Sequence, residues 1–273
     1  MNKKILILGK GFIGKRLSSG LDCIISDKKI YSFADAEGEI KKYNPQIIIN
    51  CIGRTGRNMD ECKLDIDKSL FANSFIPVIL AEAALRNKIK LIHISSGCIF
   101  NYNYAKDKPI NEKKIPDFFD LFYSRSKIYS ERALEASSNR FNYLILRIRL
   151  PLDNRPHAKN LLDKLIRYKK VLSSPNSVTY LPDFIKALKH LINIDAKGIF
   201  NVVNKGGLVY NDLLKEYKRH MPDFEYKMVK PEELGIVRAK LILSTKKLEE
   251  AGFKVRPVKD ILAECVKSYL RYT

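Results

Sequence analysis

A chain of 273 residues, 45% hydrophobic, is long enough to bury one large core, or a core and a half. Its formal charge of +20, from 50 Lys and Arg against 30 Asp and Glu, is spread along the whole length with no basic tail. That pattern fits a lysine-rich surface in a protein that handles anionic small molecules, rather than a nucleic-acid or membrane binder. Cys23, Cys51, Cys62, Cys98 and Cys265 are odd in number, scattered and without a C-x-x-C, and the four histidines lack ligand spacing. A disulfide framework and a structural metal are therefore not expected. No apolar run approaches about 18 residues, and the residues before the first apolar run are too few for a signal peptide. A soluble, cytoplasmic protein is expected.

The apolar run Ile5–Leu8 is short and polar on neither face, as in a parallel strand covered by helices on both sides. It leads into Gly9-Lys-Gly11-Phe-Ile-Gly14, after which Lys15 to Leu21 can continue as a helix. Strand, G-x-G-x-x-G and helix in that order form the dinucleotide-binding fingerprint in its required context. Gly9 permits the tight turn, Gly11 lets backbone approach a pyrophosphate, and Gly14 lets helix pack on strand. Phe12 and Ile13 complete the loop, and the helix start offers N–H groups to phosphate.

Further along, Cys23–Ser26, Gln46–Cys51, Lys90–Ser95 and Tyr143–Arg149 read as strands. Glu37–Tyr43, Ser69–Arg86 and Tyr123–Ala136 read as helices. Alternation of this kind predicts right-handed crossovers and a Rossmann-like, doubly wound parallel sheet over residues 1–150. Beyond Pro151 the pattern loosens into a smaller, mainly helical substrate-binding lobe, residues 151–273. Helices are expected at Lys159–Tyr168, Pro182–Ile192, Tyr210–His220 and Val258–Tyr272, and the chain returns to a strand near residues 199–203.

Tyr123-Ser-Arg-Ser-Lys127 places a tyrosine and a lysine four apart on one helix face. An ammonium there stabilises a phenolate and fits the tyrosine for proton transfer. An acid at the end of the second strand, Asp27, would accept a ribose 2′-OH, whereas Lys10, Lys28 and Lys29 stand ready for a 2′-phosphate. The balance favours NADPH, with NADH the alternative. Arg54 and Arg57 suit a diphosphate or carboxylate, or equally a solvated loop.

With these residues in place, the chain resembles the short-chain dehydrogenase/reductase family in its extended, nucleotide-sugar branch. That resemblance implies a Ser96, Tyr123, Lys127 set; it also matches Gly53 in Asn50-Cys-Ile-Gly53, Asn73 on the following helix and Arg149 to positions beside the cofactor. A closer likeness is to the epimerase/reductase family that makes nucleotide-rhamnose in plants and giant viruses. Six segments in one order carry it: Gly53-Arg-Thr-Gly-Arg57, Ser96-Gly-Cys-Ile-Phe100, Phe122-Tyr-Ser-Arg-Ser-Lys127, Leu146-Arg-Ile-Arg149, Ile166-Arg-Tyr168 and Pro175-Asn-Ser-Val-Thr179. The related dTDP-4-dehydrorhamnose reductases carry S-T-D-Y-V-F where this chain has Ser-Ser-Gly-Cys-Ile-Phe. Sugar 4,6-dehydratases have an Asp-Glu pair where Gly97-Cys98 stands, so dehydration lacks its acid and base.

The resemblance implies NAD(P)H-dependent reduction of the C4 ketone of a UDP- or dTDP-4-keto-6-deoxyglucose, with epimerisation at C3 and C5, to nucleotide-L-rhamnose. It nominates Cys98 and Lys164 as the epimerising acid and base, against a small loop filler and a helix surface lysine. Arg54, Thr55, Arg57, Ser96, Cys98, Asn160 and Lys164 are the expected substrate contacts, and a homodimer through paired helices is implied. The segment Leu241–Leu248 departs from the plant pattern, which leaves the nucleotide open. A reductase without epimerase activity, a 4-epimerase that keeps its cofactor bound, and a non-catalytic dinucleotide sensor are the other readings. The intact Ser96, Tyr123, Lys127 set counts against the sensor.

Overall fold

The computed structural model describes all residues except 1–2, 56–61, 63, 138–140, 173, 230–232, 234–238 and 273, and for residue 170 the backbone alone. The chain divides into two compact units: Met1–Ile99 with Phe118–Arg147 and Leu191–Phe200, and Phe100–Asp117 with Ile148–His190 and Asn201–Thr273.

The first unit begins with β1 (Ile5–Leu8), α1 (Phe12–Ser18), β2 (Ile24–Ser26), α2 (Phe33–Tyr43) and β3 (Ile47–Asn50). Then come α3 (Ile66–Leu70), one π-helical turn (Phe71–Phe75), α4 (Ile76–Arg86), β4 (Lys90–Ser96), α5 (Phe122–Ala136) and β5 (Tyr143–Ile148). The second unit contributes β6 (Pro151–Leu152), α6 (Leu161–Tyr168), β7 (Lys170–Leu172), β8 (Thr179–Tyr180) and α7 (Leu181–Asn193), the last running on into the first unit. After β9 (Gly198–Asn201) follow α8 (Tyr210–His220), β10 (Lys227–Val229), α9 (Lys246–Glu250), a 3₁₀ turn (Val258–Asp260) and α10 (Leu262–Tyr269).

Six strands form one sheet in the order β2-β1-β3-β4-β5-β9, and the pairs β1–β2, β1–β3 and β3–β4 are parallel. This is an α/β Rossmann-like fold, and the expected return of the chain to a strand is β9 at the sheet's edge. β1, β3, β4 and β5 are buried along their whole length, which is why they read as unbroken apolar runs with no alternation. One side of the core joins Leu6, Leu8, Ile48, Leu91 and Ile145 of the strands to Ile40, Leu80, Ala84 and Leu134 of α2, α4 and α5. Strand order reverses between β1 and β3, so the carboxyl ends of those strands form the crevice where this architecture takes ligands. Register brings Leu8 beside Asn50 and Asn50 beside His93, so the loops after β1, β3 and β4 open along one edge.

Two departures from the sequence reading have local causes. α2 starts four residues early because Ser32 and Asp35 make a reciprocal capping box. Ser69–Arg86 is not one α-helix: the π turn interrupts it, and the next helix takes Pro77 at its start, where no N–H is needed. The stretch Ile66–Arg86 is long and apolar enough, by length and composition alone, to cross a membrane, a test that a buried core helix also passes. Half of its apolar window is buried in the fold.

The second unit packs α6, α8 and α10 around Leu162, Val178, Tyr180, Leu213, Ile261 and Val266. Its strands pair in two short parallel ribbons, β6–β8 and β7–β10. Arg256 ties this unit by a fork to Asp183, at 2.6–3.1 Å, and by a bond of 2.6 Å to Glu264. Leu80 has no exposed surface, so Leu80→Ala should cost about 2–5 kcal/mol, read as a lower urea midpoint at unchanged slope.

Candidate active site

The glycine loop has the stereochemistry its sequence requires. Gly9 lies at φ +103°, and a Cβ on it would meet the Cys51 carbonyl carbon at 2.7 Å. On Gly14 a Cβ would stand 1.9 Å from the Gly9 carbonyl oxygen, so α1 can approach β1 only with hydrogen there. Gly11 differs: its Cβ would point into open space with nothing within 4 Å. Gly11 precedes Phe12 and Ile13, the first residues of α1, and the helix has neither a side-chain cap nor an acid in its first turn. That open space at a positive helix end fits a pyrophosphate.

Across the crevice, the loop after β3 is held from both sides. Asn50 Oδ1 accepts the Ile52 N–H at 2.9 Å, while Asn50 Nδ2 lies 3.1 Å from His93 Nδ1. Asn73, carried on the π turn, clamps the same loop: its Oδ1 accepts the Arg54 N–H and its Nδ2 donates to the Arg54 carbonyl, both at 2.9 Å. A Cβ on Gly53 would come within 3.3 Å of Asn73 Oδ1 and 3.5 Å of Lys127 Nζ. Glycine at this position lets backbone, amide and ammonium crowd together.

Lys127 is 4% exposed on α5, and its Nζ donates to the Ile94 carbonyl at 3.5 Å. Burial lowers its pKa to about 8, with Glu131, Cys51 and Cys62 pulling the other way. Tyr123 lies one turn earlier on the same helix and is also buried. Ser96 ends β4, and its Oγ accepts the Cys98 N–H at 3.2 Å. Cys98 is 2% exposed, and its carbonyl accepts Ser124 Oγ at 2.5 Å, which fixes this loop to the start of α5. Ser74 Oγ, from the π turn, donates to the Ser126 carbonyl at 2.8 Å. The loop after β4, the π turn and α5 are thus tied beside the residues that the sequence nominates for the chemistry.

Other expected contacts have settings the sequence did not reveal. Arg54 pairs with Asp65 at 3.0 Å, and Asp65 in turn caps α3. Thr55 is half-buried, and Arg57 lies outside the described residues. Asp27, Lys28, Lys10 and Lys29 are exposed beyond β2 and β1, but Lys28 is bound to Asp35 at 3.1 Å. The Tyr31 N–H, with Lys28 and Ser32, holds that Asp35 carboxyl down at about 2.

Arg149, Asn160 and Lys164 belong to the second unit. Arg149 is buried, with its guanidinium on Asn176 Oδ1 at 3.2 Å and on the Ala239 carbonyl. Asn160 is fully buried and caps α6: its Oδ1 accepts the Asp153 and Leu162 N–H groups, and its Nδ2 donates to the Asp153 and Arg155 carbonyls. Lys164 stands in the first turns of α6.

In the sequence His93 counts only among histidines without ligand spacing, because a lone histidine in an apolar strand carries no pattern. It is fully buried, burial and Lys127 hold its pKa well below 6.5, and its Nε2 has no partner among the described residues.

A family model described as the RmlD substrate binding domain matches residues 4–183. A trifunctional UDP-glucose 4,6-dehydratase/UDP-4-keto-6-deoxy-D-glucose 3,5-epimerase/UDP-4-keto-L-rhamnose-reductase of Arabidopsis thaliana is 29% identical over 262 residues. That match takes in 90% of this chain but 38% of the plant protein, so the chain spans well under half the length of this curated relative. The crystal structure of the UDP-rhamnose synthase of Acanthamoeba polyphaga mimivirus superposes with a TM-score of 0.90 at 26% identity, covering 98% of this chain and all of that one. The dTDP-4-dehydrorhamnose reductase of Bacillus anthracis, solved with NADP, shares the fold with a TM-score of 0.82 at 22% identity over the full length of both chains.

The two loop glycines should separate folding from ligand binding. Gly14→Ala should lower the thermal midpoint, because its Cβ meets rigid backbone. Gly11→Ala should leave the midpoint unchanged yet weaken NADPH by roughly tenfold or more, about 1.4 kcal/mol, in a fluorescence titration.

Proposed function

The chain belongs to the RmlD substrate-binding-domain family, and from that premise we propose that it reduces the C4 ketone of a nucleotide-linked 4-keto-6-deoxyhexose with NADPH. With epimerisation at C3 and C5, the product is a nucleotide-L-rhamnose. One observation carries the reading: the buried Lys127 ammonium abuts Gly53 at the glycine-loop edge of the sheet, one helical turn from Tyr123. The names of the plant and viral relatives, a reductase and a rhamnose synthase, support the substrate class.

Gly9, Gly11, Phe12, Ile13 and Gly14 would hold the pyrophosphate, with Gly53, Asn73 and Lys127 beside the nicotinamide half. The cofactor supplies a hydride for C4. Tyr123 gives its hydroxyl proton to the C4 oxygen, and Ser96 donates a hydrogen bond to the same oxygen. Lys127 stabilises the phenolate left on Tyr123 and holds a ribose. Lys10 and Lys29, with Lys28 shared by Asp35, favour a 2′-phosphate, while Asp27 keeps NADH an alternative. Within the first unit Asn73 clamps the Arg54 backbone, and Arg54 and Thr55 are proposed substrate contacts; within the second, Arg149 and Asn160 brace the backbone. The reading includes a soluble, cytoplasmic homodimer that takes a UDP- or dTDP-sugar and neither nucleic acid nor membrane.

For epimerisation, Cys98 and Lys164 are the proposed acid and base for protons α to the ketone. The second reading is a reductase without epimerase activity, in which Cys98 only fills the loop that Ser124 holds through the Cys98 carbonyl. Absorbance at 340 nm with NADPH or NADH and fresh UDP- or dTDP-4-keto-6-deoxyglucose tests both. Turnover to the rhamnose sugar, identified by NMR, is the expected result. Turnover only after addition of a 3,5-epimerase would establish the plain reductase, and no turnover in either case would overturn the reading. Unchanged deuterium exchange at C3 and C5 in Cys98→Ala would remove that thiol from the mechanism.

Since the Lys127 pKa is lowered to about 8, the reduction rate should fall as pH rises through that region and the ammonium is lost. Lys127→Met should cut kcat by roughly 10²–10⁴-fold and remove that limb from the pH profile.

A further inference from the structure

Beside the reducing set lies a carboxylate that its chemistry does not use. Glu131 stands one turn beyond Lys127 on α5, so Tyr123, Lys127 and Glu131 share one helix face at intervals of four. Glu131 has no exposed surface, and Arg147 of β5 is 1% exposed. The Arg147 guanidinium grips it through Nη2 at 2.6 Å and Nε at 3.0 and 3.2 Å. The second partner is Ser95, whose Oγ donates to Glu131 Oε1 at 2.5 Å. Ser95 immediately precedes Ser96. One carboxylate therefore joins the strand end that carries Ser96 to the helix that carries Tyr123 and Lys127.

We propose that Glu131 is a positioning residue of the reducing site, which through Ser95 sets the Ser96 hydroxyl against Tyr123 and through its charge keeps Lys127 an ammonium. The inference rests on the reading of Ser96, Tyr123 and Lys127 given above. A packing role for the ion pair accounts for Arg147 but not for the Ser95 bond.

Among the described residues, Glu131 is the carboxylate that acts on Lys127. Tyr123 lies one turn before it on α5; Glu131 acts on it from one turn after, Cys51 and Cys62 from the region after β3, and His93 from β4. Burial holds His93 neutral and pushes the Cys51 thiol up to about 12, so neither is charged at neutral pH. Removing the Glu131 charge leaves two buried cations, Lys127 and Arg147, on the same side of the sheet. The Lys127 ammonium would then lose its proton at lower pH.

The test follows Lys127 directly. In protein with ¹³C-labelled lysine, the Lys127 signal is identified by its absence in Lys127→Met and titrated between pH 6 and 11. In Glu131→Gln, that titration should move down by at least one pH unit. The double variant Glu131→Gln/Arg147→Gln, which replaces the buried ion pair with two amides, should show the same direction if the single variant does not fold. In the reduction assay, Glu131→Gln should lose at least tenfold in kcat while the KM for NADPH stays within twofold. Ser95→Ala should lower kcat with the Lys127 titration unmoved. An unmoved Lys127 titration in a folded Glu131 variant, or wild-type kcat in Ser95→Ala, overturns the proposal. Full activity in Tyr123→Phe and Lys127→Met would instead overturn the reading of the reducing set, and the lysine titration still decides the electrostatic half.

Discussion

The first unit is arranged around a lysine that must carry its charge where water is excluded. Lys127 is 4% exposed, and an ammonium there loses several kcal/mol of hydration that nearby dipoles and charges have to replace. The Ile94 carbonyl accepts a hydrogen bond from it, the Glu131 carboxylate lies a turn away, and Gly53 has no side chain to keep the β3 loop at a distance. The shift to about 8 shows that the replacement is incomplete. An incompletely compensated ammonium is what a neighbouring phenolate can use, because each new negative charge in the crevice is stabilised more strongly than in water.

That requirement reaches outward through backbone. Asn73 holds both polar groups of Arg54, which sets the height of Gly53 over the ammonium. The π turn puts Asn73 there: one extra residue in the turn shifts the helical phase between α3 and α4, and the same turn reaches α5 through Ser74. Ser124 pins the Cys98 carbonyl, so the β4 loop cannot slide along α5 without breaking a buried bond. Breaking such a bond costs about 1–3 kcal/mol, enough to keep the geometry in a single state.

Much of this was legible in the chain because parallel strands buried on both faces leave a strong mark. Ile5–Leu8, Gln46–Cys51 and Lys90–Ser95 are apolar runs that need helices on both sides, and the glycine spacing after the first names the ligand. Tyr123 and Lys127 declare themselves by a spacing that only a helix turns into a face. The π turn left no mark, since an apolar stretch with Asn73 and Ser74 inside it still reads as one amphipathic helix. Arg149 and Asn160 illustrate a different limit. Type and position suggest ligand contacts, but a residue's hydrogen-bond partners appear only in the fold, where Arg149 bonds Asn176 and the Ala239 carbonyl and Asn160 bonds the Asp153 backbone. The ribbons β6–β8 and β7–β10, of two or three residue pairs each, are too short for any period to show.

Arg147 sits between these cases. A charged residue inside Tyr143–Arg149 breaks a strand that is otherwise core, and such a residue is tolerated only if its partner comes with it. The partner, Glu131, lies sixteen residues earlier on the helix that precedes the strand, so the crossover from α5 to β5 returns the two charges to the same layer. An apolar pair of similar volume would fill that layer at least as stably, since a desolvated ion pair is often no better than neutral for folding. What an apolar pair could not do is accept the Ser95 hydroxyl or balance a buried ammonium one turn away. The presence of the costlier solution beside Ser96 and Lys127 therefore bears on the site's electrostatics, and it ties the proposed reducing chemistry to a residue that has no surface from which to touch a substrate.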